Sequence, residues 1–194
     1  RLFHTVLANP RLAAYRPDNW RALDSSSHEV GLHGGRNHAA WQAGAERWSE
    51  ARLRREVEWG VKHFCRLFGR QPRAFASPGW NSPGALPGIL ADLGFDYYAD
   101  AHEEGLAGLQ PGSACLANVN TNILGMPGNV GFFEHANACG LGAEATAARL
   151  LEQLAPGAHN VVYDHPGYIS RWGMGVLERA IEHVVSSGVV VATV

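Results

Sequence analysis

The stretch "HEVGLHGGRNHAAWQ", residues 28–42, constrains the fold and the chemistry of this chain more than any other. Its short apolar run, residues 30–32, ends at two consecutive glycines, a pattern typical of a buried strand that enters a tight loop. Two histidines, His33 and His38, lie on this loop. Such rings are metal ligands, catalytic groups or ordinary hydrogen-bonded loop residues, and the local pattern leaves all three open.

Regular apolar spacing on the C-terminal side of this stretch predicts a long helix. Between residues 46 and 68, apolar side chains recur at intervals of three or four, which marks one buried helical face. This face consists of Leu53, Val57, Val61, Phe64 and Phe68. Gly69 then stands where a glycine commonly ends a helix.

The rest of the chain alternates between segments typical of strands and of helices. Further strands are predicted at residues 73–77, 95–100, 160–165 and 189–194. Further helices are predicted at residues 84–93, 143–154 and 174–187, with a short amphipathic helix and a loop within residues 1–20. Residues 101–142, rich in Gly, Asn and Pro, predict long loops with one strand near residues 114–123.

Strand–helix alternation in short units indicates an α/β fold, with a parallel sheet or barrel flanked by helices. In such folds, ligands bind at the carboxyl ends of the strands. Three predicted strands end in polar clusters, which are His33 with His38, then Asp100, then Asp164 with His165. We therefore predict an active site built from these clusters.

Length and composition narrow the class of protein. A chain of 194 residues predicts a single domain over residues 1–194, and a formal charge of −2 gives no electrostatic reason to bind nucleic acid. Apolar runs stay below the roughly 18–20 residues of a membrane span, and no signal-peptide pattern is present. Three widely spaced cysteines, Cys65, Cys115 and Cys139, predict reduced core thiols in a cytoplasmic protein.

Each candidate residue has a structural alternative. His165 is the candidate proton donor because an imidazole titrates near neutral pH. Since neighbouring strand residues point to opposite faces, Asp164 and His165 could equally be one buried and one exposed polar group. Asp100 either forms a turn or orients a catalytic histidine. Trp80 is expected on an exposed loop, where it could line a sugar or lipid groove, or else in the core.

Two histidines are fewer than the three protein ligands that a catalytic metal commonly has. Glycines beside His33 and His38 would allow the loop to point both rings at one ion. The metal interpretation therefore predicts a third Asp, Glu or His ligand elsewhere in the chain.

Four segments together resemble a known family. The stretch at residues 28–42, "SPGW", "YYAD" and "VVYDHPGY" occur in the order and approximate spacing of the NodB-type polysaccharide deacetylases, carbohydrate esterase family 4. Within that family the chain most resembles the 4-deoxy-4-formamido-L-arabinose-phosphoundecaprenol deformylases, including their helical insertion at residues 1–15. The resemblance covers most of the chain, and the segment from His28 to His33 is its most specific part.

The resemblance implies a distorted (β/α) barrel of the NodB deacetylase type with one divalent metal, commonly zinc. In such enzymes the metal binds the acyl carbonyl and a water molecule, and a carboxylate takes the proton of that water. His33 matches the first metal histidine, and His165 matches the histidine that protonates the leaving amine. Asp100 matches the aspartate that orients this histidine, and Trp80 with Gly79 matches the substrate groove.

Two departures from the family pattern affect the metal site. The position of the second metal histidine holds Asn37, with His38 one residue later, so either side chain is a candidate for that place. The aspartate-rich first motif has no counterpart, since Asp24 lies in a loop-like context. We therefore expect the chain to lack the first strand–helix unit or units of the barrel and to have little activity by itself.

The sequence thus predicts a metal-dependent hydrolase that removes an N-formyl or N-acetyl group from an amino sugar. Similarity to the deformylases implies a substrate linked to undecaprenyl phosphate and peripheral contact with the inner membrane. Apolar residues 2–12 suit such contact, or else pack on their own core. Two alternatives stay open: a catalytically degenerate carbohydrate-binding relative, and an amidase that acts on a small non-sugar amide.

Overall fold

The computed structural model describes residues 16–24, 28–101, 109–111, 116–125, 130–165 and 174–191. Three predictions fall on other residues and lie outside this description. They are the helix within residues 1–15, the state of Cys115, and the last part of the strand at residues 192–194.

Helix α1, Pro17–Asp24, forms where the sequence predicted a loop. Pro17 is the first residue of the helix, where a backbone N–H is not needed. Arg21 donates from Nε to the carbonyl of Leu67, 3.1 Å away. The prediction was wrong because a proline excludes the interior of a helix and not its first turn.

The stretch at residues 28–42 folds as a strand, a tight loop and a helix. Strand β1 is Leu32–His33, and helix α2 is His38–Gly44. A 3₁₀ turn, Ala45–Arg47, leads to the long helix α3, Glu50–Phe68. Gly69 ends α3 with φ 71°, the left-handed conformation predicted for it.

The predicted apolar face of α3 is confirmed at the residues that pack on the core of the first cluster. Leu53, Val57 and Phe64 are buried, and Val61 is half-buried against the same cluster. This core also contains Trp41 of α2 and Phe75, which are almost fully excluded from solvent. The periodicity of α3 therefore identified the surface that faces the sheet.

A sheet with parallel strands, together with the helices, confirms the predicted α/β class. After α3 come strand β2, Ala74–Ala76, helix α4, Leu86–Asp92, and strand β3, Tyr97–Ala101. Two more strands are β4, Leu109–Pro111, and β5, Ala117–Asn120. The strands of the described sheet are in the order β1-β2-β3-β5-β4, and β1 with β2 and β2 with β3 are parallel.

Later elements form a second cluster of helices. They are α5, Phe132–Ala138, α6, Ala143–Gln153, and α7, Met174–Ser186. Helices α6 and α7 were predicted, but α5 falls in a segment predicted as loop. It has only seven residues and glycines close to both ends, so its periodicity was too short to detect, although Phe132 and Phe133 are buried.

The two C-terminal strands are not confirmed as strands in the described residues. At residues 160–165, the structure has a single parallel bridge between Val162 and Ile123. Residues 189–191 form no strand. Apolar β-branched residues favour extended backbone, but a strand also needs a neighbour to pair with along its length.

The chain divides into two compact units. The first comprises Arg1–Ala101 with Gln110–Val119, and the second comprises His102–Leu109 with Asn120–Val194. The first core is the cluster around Trp41 and Phe75. In the second unit, Ile123 packs with side chains of α5, α6 and α7.

Two further sequence expectations can be compared with the structure. Cys139 is exposed and Cys65 is half-buried, and both are free thiols. The prediction that they are core thiols was therefore wrong, because a wide sequence spacing says nothing about burial. Among the described residues, no helix is both long and apolar enough to span a bilayer.

Candidate active site

The first cluster is the histidine pair, defined as His33 and His38. His33 ends β1, and the strand register places it opposite Ala76 of β2. Nδ1 of His33 lies 2.9 Å from the carbonyl oxygen of Ala76, so this nitrogen carries the proton and donates it. In the neutral ring the lone pair is then on Nε2 of His33, and Nε2 of His38 lies 3.1 Å from this atom.

Asn37 has a different task from His38. It is the N-cap residue of α2, and its side-chain oxygen accepts a hydrogen bond from the backbone N–H of Ala40 at 2.9 Å. The ring of His38 stands beside that of His33, with 4.9 Å between the two ring centroids.

The loop that holds the histidine pair is tightly packed against its surroundings. The backbone N–H of Gly34 donates to the carbonyl of Ala76 at 3.2 Å. Gly34 has φ 73°, and a Cβ atom at this position would lie 2.6 Å from Cγ of Pro78. Glu56 of α3 accepts a hydrogen bond from the backbone N–H of Arg36 at 2.9 Å. Register, steric fit and this carboxylate together hold the loop.

The donor set of the histidine pair suits a divalent metal in part. Two nitrogens bound to a tetrahedral zinc at about 2.0–2.1 Å are about 3.3–3.4 Å apart, close to the 3.1 Å between the two Nε2 atoms. The carbonyl contact of His33 also matches the second-shell hydrogen bond that metal-binding histidines commonly make. Among the described residues, no group of three His, Cys, Asp or Glu side chains forms a complete metal site.

The predicted substrate groove lies on a strained turn, Pro78–Trp80. Gly79 has φ 62° and Trp80 has φ 53°, a left-handed conformation that is uncommon for a bulky residue. Trp80 is half-buried, between the exposed position and the core position that the sequence left open. The turn packs closely on α2, because a Cβ atom on Gly79 would lie 2.6 Å from Cγ of Gln42.

Asn81 fastens this turn to α2, and the sequence analysis did not single it out. Its side-chain amide donates to the carbonyl of Gln42 at 3.1 Å, while Nε1 of Trp41 donates to the carbonyl of Asn81 at 3.0 Å. An asparagine in a Pro- and Gly-rich segment was the available signal. Two hydrogen bonds to consecutive residues of α2 thus hold Asn81, the residue that follows Trp80.

Asp100 lies at the end of β3 and accepts two hydrogen bonds. The backbone N–H of Ser77 donates to Oδ1 at 2.9 Å, and the hydroxyl of Ser82 donates to Oδ2 at 2.6 Å. Burial raises the pKa of Asp100, and the bonds from Ser82 and Ser77 partly oppose that rise. The structure brings Asp100 together with two serines that sequence analysis had missed.

In the second unit, Asp164 supports the start of α5. Oδ2 of Asp164 accepts hydrogen bonds from the backbone N–H groups of Phe133 and Glu134, the latter at 3.2 Å. Its Oδ1 accepts from the backbone N–H of His165 at 2.7 Å. Burial raises the pKa of Asp164, against these hydrogen bonds. The side chain therefore supplies the helix N-terminus with the acceptor that Gly131, the N-cap residue, lacks.

His165 is exposed and has polar partners on both ring nitrogens. Nδ1 lies 3.2 Å from Oε2 of Glu134, and Nε2 lies 2.8 Å from the hydroxyl of Tyr163. Asp100, the residue that the resemblance assigns to orient His165, belongs to the other unit, so that assignment stays a prediction. Glu134 was missed because nothing in its local sequence predicts a partner 31 residues away.

Comparison with known proteins defines the fold. No protein-family profile matches the chain. The structure of Puue allantoinase superposes with a TM-score of 0.58 at 20% sequence identity, over 90% of this chain and 58% of that one. A probable polysaccharide deacetylase from Pseudomonas aeruginosa PAO1 gives 0.62 at 18% identity, over 90% of this chain and 59% of that one.

A third similar structure is BA3943 from Bacillus anthracis, described as a CE4 family pseudoenzyme. Its TM-score is 0.52 at 13% identity, over 89% of this chain and 48% of that one. The chain thus spans less than three fifths of the length of each of these proteins. At such identities the likeness shows the fold, and the fold is the (β/α) type of the polysaccharide deacetylases, as predicted.

Proposed function

We propose that this chain is part of a metal-dependent hydrolase that removes an N-acyl group from an amino sugar. The observation that carries the proposal is the histidine pair, in which the two Nε2 atoms lie 3.1 Å apart at the carboxyl end of β1. The shared fold and the motif order add support. In parallel α/β folds this edge of the sheet is where ligands bind.

His33 and His38 would hold the metal, and zinc suits two imidazole ligands. When bound, a divalent ion supplies polarisation of the acyl carbonyl and a water molecule of lowered pKa. A third protein ligand is needed besides the described pair. In the family pattern this is the aspartate of the first motif.

The remaining side chains would bind the sugar and move the proton. The reaction adds water across the amide C–N bond: the hydroxyl group ends on the acyl carbon, and the electron pair of the broken bond goes to nitrogen. His165 would give that nitrogen its proton, and the resemblance assigns the support of His165 to Asp100. Trp80 and Gly79 would form the wall against the sugar ring, because an indole face packs well on sugar C–H groups.

A narrower proposal concerns the substrate. Similarity to the formamido-arabinose deformylases favours an N-formyl group on a sugar linked to undecaprenyl phosphate. An enzyme for such a substrate would work at the inner membrane. Parallel assays with N-formyl and N-acetyl amino sugars, free and lipid-linked, would decide between these substrates.

The test of the proposed function combines zinc binding with hydrolysis. Zinc bound per chain is measured for the wild type, and release of amine from N-acyl amino sugars is followed with and without a chelator. Hydrolysis is measured with the chain and with the chain extended by an aspartate-bearing first motif. Zinc binding with chelator-sensitive hydrolysis in either form supports the proposal, and neither form hydrolysing any N-acyl sugar at saturating zinc would contradict it.

Two other functions have specific support. A non-catalytic carbohydrate-binding role is favoured by the likeness to a CE4 family pseudoenzyme and by the incomplete ligand set of the described residues. Sugar binding that persists in the presence of a chelator and in His165→Ala would indicate this role. An amidase for a small amide is favoured by the likeness to an allantoinase, and hydrolysis of ureides but not of acylated sugars would indicate it.

A further inference from the structure

Glu134 is a carboxylate that no sequence motif singles out, and it lies against the ring of His165. It is the third residue of α5, and its Oε2 is 3.2 Å from Nδ1 of His165. The Glu134 side chain is only 18% exposed, whereas that of His165 is 52% exposed. One ring nitrogen thus faces a largely buried carboxylate, while half of the ring remains accessible.

Hydrogen bonds from backbone N–H groups set the position of Glu134 beside His165. Asp164 accepts hydrogen bonds from the N–H groups of Glu134 and of His165, so a single carboxylate ties the two residues together. Gly131 allows this approach, because a Cβ atom there would lie 2.7 Å from Cγ of Asp164. Oε2 of Glu134 also accepts from the N–H of Gly131 at 3.4 Å. Hydrogen bonds at the start of α5 therefore fix the orientation of the Glu134 carboxylate.

The partners of the two ring nitrogens decide which one carries a proton in the neutral ring. An ionised carboxylate only accepts hydrogen bonds, so Nδ1 of His165 must donate to Glu134. Nε2 faces the Tyr163 hydroxyl at 2.8 Å. Burial and the charges of Glu134 and Asp164 raise the pKa of Tyr163, which keeps its phenol protonated. This phenol can donate to Nε2 of the neutral ring and accept from Nε2–H of the charged ring.

We propose that Glu134 is a positioning residue that keeps His165 in the Nδ1–H form, so that Nε2 is the nitrogen that gains and delivers the proton. The catalytic part of this inference rests on the proposed function. As the amide C–N bond breaks and its electron pair goes to nitrogen, the proton on Nε2 passes to that nitrogen. The ring is left neutral with Nδ1–H still on Glu134, and the remaining proton of the added water restores the charged ring.

The first measurement is the tautomer of His165 by ¹⁵N NMR of the chain labelled at histidine, at a pH where imidazole rings are neutral. His165→Gln identifies the signals. In the wild type we expect a protonated Nδ1 and an unprotonated Nε2. In Glu134→Ala the ring should change towards Nε2–H, the form that a neutral histidine favours in water. Glu134→Gln retains an accepting oxygen and should keep the wild-type form in part.

Glu144→Ala is the matched control, since Glu144 is an exposed carboxylate in the first turn of α6. It should leave the His165 signals unchanged. Asp100→Asn tests the competing assignment. The inference is overturned if Glu134→Ala leaves the tautomer of His165 unchanged. A change in Asp100→Asn alone would then assign the positioning role to Asp100. Glu134→Gln keeps the side-chain size, so the comparison survives if Glu134→Ala does not fold.

The second measurement is hydrolysis in the form that is active. Glu134→Ala should lower kcat about tenfold or more with KM nearly unchanged, and Glu134→Gln should restore part of kcat. An unchanged kcat in Glu134→Ala would overturn the catalytic role. Because the NMR experiment needs neither zinc nor substrate, it decides the Glu134–His165 pairing even where the proposed hydrolysis is not observed.

Discussion

His33 and His165 have the same imidazole side chain but lie in two regions that give it different hydrogen-bond partners. Nδ1 of His33 donates to a neutral backbone carbonyl, and its Nε2 faces another imidazole. Nδ1 of His165 faces a carboxylate, and its Nε2 faces a phenol. A carbonyl acceptor fixes the orientation and the tautomer of the ring, as the second-shell partners of metal-bound histidines do, whereas a carboxylate acceptor also places a negative charge beside the ring.

The two regions also differ in what holds them in place. His33 is positioned by strand register, because β1 and β2 bring it opposite Ala76. His165 is positioned through a side chain, Asp164, that joins it to the start of α5. The register rests on two residue pairs, Leu32 with Phe75 and His33 with Ala76, and on the bond from the Gly34 N–H to Ala76, while the second arrangement depends on one carboxylate. The second region should therefore be more sensitive to a single substitution.

The largest effect is expected on zinc binding. His33→Ala and His38→Ala should each reduce bound zinc from about one per chain to almost none, because a site with one remaining imidazole binds weakly. Elemental analysis after dialysis measures this. His159→Ala removes an exposed histidine of the second unit and should keep the wild-type content. Undiminished zinc in His33→Ala would show that the histidine pair is not a metal site.

The next effect concerns the support of His165. Gly131→Ala places a Cβ atom 2.7 Å from Cγ of Asp164 and 2.9 Å from its Cα, so the contact must open. We expect the free energy of unfolding to fall by about 1–3 kcal/mol, measured by urea denaturation. Gly142→Ala is the matched control, because Gly142 is the N-cap residue of α6 and a Cβ atom there meets open space. Equal losses in the two variants would contradict the steric argument.

A smaller effect is expected for Asn37, and it distinguishes a helix-capping role from a metal-binding role. Asn37→Ala removes the hydrogen bond to the N–H of Ala40 and should lower the free energy of unfolding by about 1 kcal/mol. Bound zinc should stay at the wild-type level, since the side-chain oxygen is engaged by α2. Asn37→Ser should recover most of the stability, because serine is an equally good cap. Loss of zinc in a folded Asn37→Ala would place Asn37 among the ligands.

The smallest effect is a change in the pH dependence of stability in Asp100→Asn. Burial raises the pKa of Asp100 above the ordinary value of about 3.9, so the folded chain binds more protons than the unfolded chain between these two pKa values. Wild-type stability from this group is present below about pH 3.9 and is lost as the pH rises through the raised pKa of Asp100.

Asparagine carries no charge, and it can accept from the Ser77 N–H and donate to the Ser82 hydroxyl. The free energy of unfolding of Asp100→Asn should therefore increase relative to the wild type as the pH rises. Urea denaturation at a series of pH values measures this difference. Glu144→Gln controls for the loss of one exposed carboxylate, and a difference that does not vary with pH would refute the burial argument.

Much of the fold was predictable because local spacing reports burial. The apolar periodicity of α3 and the glycine after it predicted the helix, its buried face and its end. Short elements were harder to predict from the sequence. Helix α5 has seven residues, and its start is supported by Asp164 from another part of the chain. A helix whose cap comes partly from a distant residue has a weaker local start signal, which here is Glu134 at its third position.

Within the candidate site, sequence identified the residue types and the structure decided their partners. The sequence of residues 28–42 was sufficient to predict a strand end and a glycine-rich loop that carries two histidines, because strand and turn preferences are local. Whether Asn37 or His38 stands beside His33 depended on where α2 begins. The contact of His33 with Ala76 spans 43 residues, and that of His165 with Glu134 spans 31. Only the packing of strands and helices brings such residues together, so only the tertiary structure could decide which partner each histidine ring has.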